Sequence, residues 1–297
     1  MVAVKLENVV KYFGEFKALD NVSFEIEEGE VIGFLGPNGA GKTTTMRIIT
    51  GFMEQTSGKV SVYGLDNIEQ QDEIKKIIGY LPEQPPLYPE LSVEEYLYFV
   101  AEIKDVKKDK IKSRVEEVIE LVGLGEKRNF LIGHLSKGYK QRVGIAQAII
   151  HNPKLLILDE PTIGLDPIQI IEVRELIKKL SQVEKRTIIL STHILQEVNY
   201  VCQRAIIINK GKIVNDVPIS VSDRRHYVIK LNKVVSDVSF LGLENASISE
   251  NYLRLSLNSE EEVERVVKGL VDRGIIPLEI SPLSTEIEKV FIDSVYS

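Results

Sequence analysis

Cysteine is almost absent from this sequence: 297 residues include one, Cys202. A single thiol forms no internal disulfide, and the four histidines, His134, His151, His193 and His226, lack the spacing of a structural zinc site. That usage is expected of a chain in a reducing cytoplasm. Positive charge is not in excess either. Lys and Arg number 37 against 44 Asp and Glu, a net charge of −7, so there is no basic field for a polyanion and no nucleic-acid partner is expected. Long apolar runs are missing: stretches such as 155–158 and 205–208 fall far short of the roughly 18 residues a membrane span needs. Residues 1–10 alternate apolar and polar positions, with Lys5 and Glu7 among them, unlike the unbroken apolar region of a secretory signal. A soluble chain without an export signal is the expectation. No repeat, heptad array or low-complexity tract is visible.

Apolar residues make up 43% of the chain, enough for a core in each of the two domains implied by about 150 residues per domain. Residues 2–10 read as an edge-type strand and 21–26 as another, and the Glu27-Glu28-Gly29-Glu30 cluster turns the chain into a buried strand at 31–35. From Gly41 the pattern is helical. Later strand-like runs at 155–158, 187–191 and 204–209 alternate with helical stretches at 167–180 and 194–201, the order of a largely parallel α/β sheet. Three helical segments, 92–103, 109–122 and 139–150, follow one another with no strand between, and are read as a helical insert over about 83–151. A hairpin-like 212–216 and a linker at 217–220 end the first domain, 1–220. The pattern restarts over 221–297 as strand (227–231), short helix, two strands (245–249 and 253–257), helix (259–273), strand (276–280) and terminal helix. That order predicts a small α+β domain of the ferredoxin-like β-α-β-β-α-β type. Its 9 Lys and Arg against 13 Asp and Glu exclude a basic nucleic-acid arm.

Gly36-Pro37-Asn38-Gly39-Ala40-Gly41-Lys42-Thr43 matches G-x-x-x-x-G-K-[ST] between a buried strand and a helix, the context a phosphate-binding loop requires. Glycines let successive N–H groups point inward at phosphate oxygens, and the helix that follows adds roughly half a positive charge. Lys42 supplies a point charge to the β- and γ-phosphates, Thr43 a hydroxyl for Mg²⁺, and Thr44 completes the phosphate-binding set. The bland alternative, a glycine-rich turn with a chance lysine, does not account for the flanking strand and helix. Downstream, Leu155-Leu156-Ile157-Leu158 ends in Asp159 and Glu160, two carboxylates at the sheet edge where α/β folds bind ligands. Asp159 is suited to hold the hydration shell of Mg²⁺, and Glu160 to orient and deprotonate the attacking water. A GTPase would carry N-K-x-D; the nearest segment, Asn209-Lys210-Gly211-Lys212, has lysine where the aspartate must accept from the base.

The order of the remaining motifs is more specific. Leu135-Ser136-Lys137-Gly138-Tyr139-Lys140-Gln141-Arg142 precedes the two acids, Gly164-Leu165-Asp166-Pro167 follows them, and His193 ends the next strand. With the phosphate loop, at least six ordered motifs over about residues 4–216 resemble the ABC-type ATPases, and the chain looks like the ATP-binding subunit of a transporter of the bacterial and archaeal exporter-like branch. The resemblance implies that Phe13, rather than Tyr12, stacks on adenine, that Gln84 touches Mg²⁺ or water and senses a membrane partner, and that His193 hydrogen-bonds the γ-phosphate. Ser136, Lys137, Gly138 and Tyr139 would form the signature facing the ATP of a second subunit, and Asp166 would cross that interface. Lys137 and Tyr139 depart from the usual glycine and glutamine. It further implies ATP and Mg²⁺ as ligands, a homodimer formed on ATP binding, a separate membrane-spanning permease, and a cytoplasmic subunit peripheral to the membrane. The C-terminal segment with Leu283-Ser284-Thr285-Glu286-Ile287-Glu288-Lys289-Val290-Phe291 resembles, more loosely, the small extension of many exporter ATPases. Two rivals are a soluble ABC ATPase acting on ribosomes or DNA and a ligand-sensing regulator. The single cassette and the lack of a long coiled-coil insert weigh against the first.

Overall fold

In the computed structural model, the alternating start of the chain forms β1 (Val2–Phe13), which turns at Gly14 into β2 (Phe16–Glu27). The apolar run β3 (Val31–Leu35) leads through the glycine-rich loop into α1 (Lys42–Ile49). There follow β4 (Ser57–Val62), β5 (Leu65–Asp66), α2 (Gln71–Ile77) and β6 (Ile78–Leu81), then the helices α3 (Val93–Ile103), α4 (Lys108–Leu121) and α5 (Lys137–Ile149). The chain returns through β7 (Leu155–Asp159), α6 (Pro167–Glu184), β8 (Thr187–Thr192), α7 (Leu195–Val201), β9 (Arg204–Asn209) and β10 (Lys212–Pro218). Last come β11 (Arg225–Leu231), β12 (Ser247–Ser249), β13 (Tyr252–Leu257), α8 (Glu260–Val271) and β14 (Pro277–Pro282). The structure describes residues 1–184, 186–219, 225–235, 237–238, 241, 243, 246–249, 251–257, 260–282 and 291. Two compact units divide the chain, Met1–Ile219 and Ser220–Ser297.

Within the first unit, the sheet β2-β1-β4-β5 is antiparallel, and the sheet β10-β9-β3-β8-β7-β6 is parallel from β9 to β6 with β10 antiparallel at its edge. Every residue of β3, β7 and β8 is buried, which is why these strands read as continuous apolar runs rather than alternating ones. Their shared core takes Leu6, Val22, Phe24 and Ile26 from the antiparallel sheet, Phe34, Ile157 and Ile189 from the parallel one, and Met46, Ile48 and Ile49 from α1. Because β3, β6, β7 and β8 run parallel, everything that follows their last residues gathers at one edge. That edge carries the loop after Leu35, Asp159 at the end of β7 with Glu160 just beyond it, His193 after β8 and Gln84 beyond β6.

The sequence expectations need correction at several points. β1 is not an edge strand: it is hydrogen-bonded to β2 on one side and β4 on the other. Alternation reports one buried face and is silent about who pairs with the strand, and β4 buries only Val60 and Val62. β6 was not anticipated, because Ile78-Gly79-Tyr80-Leu81 follows α2 directly with no turn residue between. The expected linker begins inside β10, where Val217 and Pro218 still pair with Ala205 and Arg204. Proline is tolerated there since β10 is an edge strand, with one side of its backbone unpaired anyway.

The insert is entered through a capping box: Ser92 Oγ accepts from the Glu95 N–H, and the Glu95 side chain accepts from the Ser92 N–H. Arg128 ties its helices together by salt bridges to Glu94 at 2.6 Å and Glu116 at 3.0 Å. α5 starts at Lys137, two residues before the expected Tyr139, because Ser136 is its N-cap.

In the second unit the antiparallel order is β12-β13-β11-β14, with α8 between β13 and β14 in sequence. Val266 and Leu270 of α8 pack with Ile229, Leu253 and Leu255. The expected terminal helix lies largely outside the described residues, and at the place of the expected short helix after β11 the described residues 232–235 and 237–238 carry no helix.

Candidate active site

The loop after β3 is shaped by close backbone approach. A Cβ on Gly36 would lie 2.4 Å from the Ile208 carbonyl of β9, and Gly41, at φ +108°, presses against Ala18 and Leu19 of β2. Only glycine fits both places. The loop is tied down by the Gly36 N–H donating to Thr192 O at 3.3 Å and the Ala40 N–H donating to Pro37 O at 3.2 Å. Lys42 opens α1 and is 6% exposed. Its ammonium donates to the carbonyls of Gly36 at 2.8 Å and Pro37 at 3.3 Å and pairs with Glu160 Oε1 at 3.1 Å. Phe13 ends β1 and pairs with Phe16 of β2, near the Ala18-Leu19 corner that touches Gly41, and is 46% exposed.

Asp159 is the last residue of β7, opposite Ser191 of β8, and fully buried. Ser191 Oγ donates to its Oδ1 at 2.7 Å, whereas Oδ2 has no hydrogen-bond partner. Burial pushes this carboxyl above the ordinary carboxylate value, opposed by hydrogen bonds from the Ser191 and Thr43 hydroxyls; Glu160 raises it further and Lys42 lowers it. An orphaned carboxylate oxygen grouped with a threonine hydroxyl suits a hard divalent cation, which takes one or two protein oxygens and completes its shell with phosphate and water.

That orphan has a cost in the ligand-free protein. A carboxyl whose value is raised on folding binds its proton more tightly when folded. Its contribution to stability is therefore fully present below the unfolded carboxylate value and is lost as pH rises through the folded one. Asp159→Asn is expected to stabilise the protein at pH 7 by about 1 kcal/mol, because a neutral amide replaces a buried carboxylate with one oxygen lacking a hydrogen-bond partner. The gain should vanish at acid pH, which urea unfolding at a series of pH values measures.

Glu160 has a left-handed backbone, φ +49°, held by its N–H donating to Ser191 O at 2.8 Å. A non-glycine residue in that conformation costs about 1–3 kcal/mol and persists where its surroundings over-determine it. Its two oxygens face different partners, Oε1 the Lys42 ammonium and Oε2 His193 Nδ1 at 2.8 Å. A carboxylate only accepts, so Nδ1 carries the proton in this contact. Lys42, Glu160 and His193 thus form one chain of charged hydrogen bonds across the ends of three elements.

Gln84 lies on the same sheet edge, exposed in the loop after β6 and outside that chain. Ser136 is exposed at the N-terminus of α5, accepting from the Tyr139 N–H, and the Tyr139 ring lies 5.7 Å from Lys127 Nζ and 5.8 Å from Arg142 Cζ. A Cβ on Gly164 would lie 2.2 Å from Lys137 Nζ, and one on Gly138 2.6 Å from Gln169, so the signature packs on the 164–169 loop of its own chain. Asp166 caps α6 there, accepting from the Gln169 N–H at 2.9 Å. Ser191, Thr192, Thr162 and Glu197, all buried around the two acids, were missed by sequence reasoning. Ser191 and Thr192, polar residues ending an apolar strand just before His193, were the available signal.

A phosphate loop after one parallel strand, paired acids after a second and a histidine after a third define a nucleotide-triphosphate hydrolase of the phosphate-loop class. Its relatives narrow the class. The ABC transporter family model matches residues 19–163. The bacitracin transport ATP-binding protein BcrA of Bacillus licheniformis is 40% identical over 223 residues, covering 75% of this chain and 72% of BcrA. The uncharacterized ABC transporter ATP-binding protein YhcH of Bacillus subtilis (strain 168) is 36% identical over 98% of this chain and 95% of its own length. Among solved structures, the dimeric ATP-binding cassette MJ0796 bound to ADP and Pi superposes with a TM-score of 0.66 at 30% identity, over 73% of this chain and 98% of that one. The chain belongs to the ABC transporter ATP-binding proteins. It binds ATP and is an ATPase.

Proposed function

We propose that this chain is the hydrolytic subunit of a transporter, working at the cytoplasmic face of the membrane on a separate permease, as a homodimer with two ATP molecules between its subunits. The observation that carries this reading is the meeting of Lys42, Glu160 and His193 around the buried Asp159 at one sheet edge. No helix among the described residues is long and apolar enough to cross a membrane, and a separate permease is the partner this reading assigns.

In the mechanism, the N–H groups of Asn38, Gly39, Gly41, Lys42, Thr43 and Thr44 donate to the phosphates, and Gly36, Pro37 and Ala40 complete the ATP-binding loop that holds them in place. Phe13 stacks on adenine. Lys42 sits against the β- and γ-phosphates, and Glu160 takes a proton from water as the water oxygen attacks the γ-phosphorus in line with the bond to ADP. His193 hydrogen-bonds the γ-phosphate and keeps Glu160 aimed. Thr43, Asp159 and Gln84 are the residues that would hold Mg²⁺, which when bound neutralises charge on the phosphate oxygens. Asp159→Asn should accordingly weaken ATP binding in the presence of Mg²⁺ more than in its absence. Ser136, Lys137, Gly138, Tyr139 and Asp166 act on the ATP held by the second subunit.

The test is complementation between two inactive variants. Lys42→Ala and Ser136→Arg homodimers contain no complete site, whereas a mixed dimer contains one, built from the intact loop of one chain and the intact signature of the other. Neither variant alone should hydrolyse ATP, and an equal mixture should regain up to about a quarter of the wild-type rate per chain through random pairing. No recovery on mixing, or a wild-type rate independent of dilution, would sink the shared-site reading.

A further inference from the structure

We infer that Glu197 is a positioning residue for Glu160 and His193, acting through Thr162 and Thr192. The inference rests on the reading of those two residues as catalytic. Glu197 lies in the first turn of α7 and is 1% exposed. A carboxylate so buried is costly unless its oxygens are hydrogen-bonded, and both are. Oε1 accepts from the Thr162 hydroxyl and Oε2 from the Thr192 hydroxyl, the latter at 2.7 Å.

The two threonines flank the reactive side chains. Thr162 stands two residues after Glu160, and Thr192 immediately precedes His193. Having donated to Glu197, Thr192 Oγ1 also accepts from the Ile194 N–H at 3.1 Å, so one hydroxyl spans the turn that carries His193. Beyond β7, the Ile163 N–H donates to Glu160 O at 3.2 Å and closes a tight turn around Thr162. Glu197 therefore pins together the two loops whose side chains meet at the Glu160–His193 contact of 2.8 Å.

The pin is seated on a rigid support. A Cβ on Gly33 would lie 2.5 Å from Val198 Cγ1, so the residue after Glu197 is pressed onto β3, the strand that enters the phosphate loop. The carboxylate is thus fixed relative to the loop through β3 and relative to Glu160 and His193 through the threonines. Reactive groups must be held within about 0.5 Å of their working geometry by such supporting contacts. A misplacement of about 1 Å can cost roughly 100-fold in rate. Glu197 makes no hydrogen bond or salt bridge to the phosphate loop, so nucleotide affinity should be spared.

Steady-state hydrolysis by the full chain tests this with Glu197→Ala, Glu197→Gln and Thr192→Val, alongside Glu160→Gln and His193→Ala. Glu197→Ala is expected to lower kcat by about 10- to 100-fold with KM for ATP little changed. Glu197→Gln should recover most of the loss, because its amide oxygen still accepts from Thr192 and its amide N–H can donate to the Thr162 hydroxyl. Thr192→Val, which keeps the side-chain volume and removes the donor, should repeat the kcat loss and keeps the test open if the alanine variant does not fold. Unchanged kcat in Glu197→Ala or Thr192→Val, with Glu160→Gln and His193→Ala inactive, overturns the positioning role alone. A rise in KM matching the fall in kcat, with no recovery in Glu197→Gln, overturns it in favour of a structural role. Full activity of Glu160→Gln and His193→Ala overturns the catalytic reading, and this inference with it.

Discussion

Replacing Lys42 by alanine is expected to abolish tight ATP binding and hydrolysis together. The ammonium touches three oxygens, the Gly36 and Pro37 carbonyls and Glu160 Oε1, and is directed at the loop interior. A hydrogen bond to a charged group is worth about 1.5–3 kcal/mol, and a lysine serving two phosphates makes at least two, so affinity should fall by at least about 100-fold. The same change strands the Glu160 carboxylate, 8% exposed on its side chain, without its cation. Breaking a buried pair from one side costs about 3–5 kcal/mol, so the variant should also unfold at lower urea. Lys42→Met separates the charge from the packing, since it keeps the volume of the stem and loses only the ammonium. ATP affinity by calorimetry beside urea unfolding checks both, and near wild-type affinity in either variant would remove the assignment of the cradle.

The phosphate loop was legible because its chemistry is contiguous: eight adjacent residues carry the glycines, the lysine and the hydroxyl, and the flanking periodicities supply the strand and the helix. Asp159 and Glu160 were legible for a related reason, an apolar strand ending abruptly in two charges. Pairing was not legible. Whether β1 is an edge or an interior strand depends on β4, fifty residues away, and four-residue β6 gains its identity from the register Ile78↔Leu155 to Leu81↔Leu158. Burial of polar groups was equally hidden. Ser191 looks like an ordinary strand residue until Asp159, 32 positions earlier, is placed beside it, and Glu197 looks like a solvated helix charge until Thr162 arrives from the loop after β7. Sequence reasoning finds groups that act as neighbours in the chain and misses those that act as neighbours in space.

Exchanging Glu160 for glutamine should separate binding from turnover. The amide keeps the shape, and its oxygen can still accept from the Lys42 ammonium, whose other contacts, the Gly36 and Pro37 carbonyls, are untouched. Its nitrogen, however, only donates, so it cannot accept from His193 Nδ1–H as Glu160 Oε2 does. The imidazole must change tautomer or turn away. More important, an amide takes no proton from water, and loss of a general base typically costs about 10²- to 10⁴-fold in rate. One negative charge also disappears from the place where the γ-phosphate would sit against Lys42, so repulsion falls and the ATP-bound dimer should live longer. Size-exclusion chromatography with and without Mg²⁺ and ATP, beside phosphate release, reads both effects. Asp159→Asn provides the contrast: it leaves Glu160 its proton-accepting oxygen and removes the carboxylate that the buried Oδ2 offers to a cation, so little dimer should be trapped. Hydrolysis at the wild-type rate by Glu160→Gln, or a stable ATP-bound dimer from Asp159→Asn instead, would show that the roles of the two acids are assigned the wrong way round.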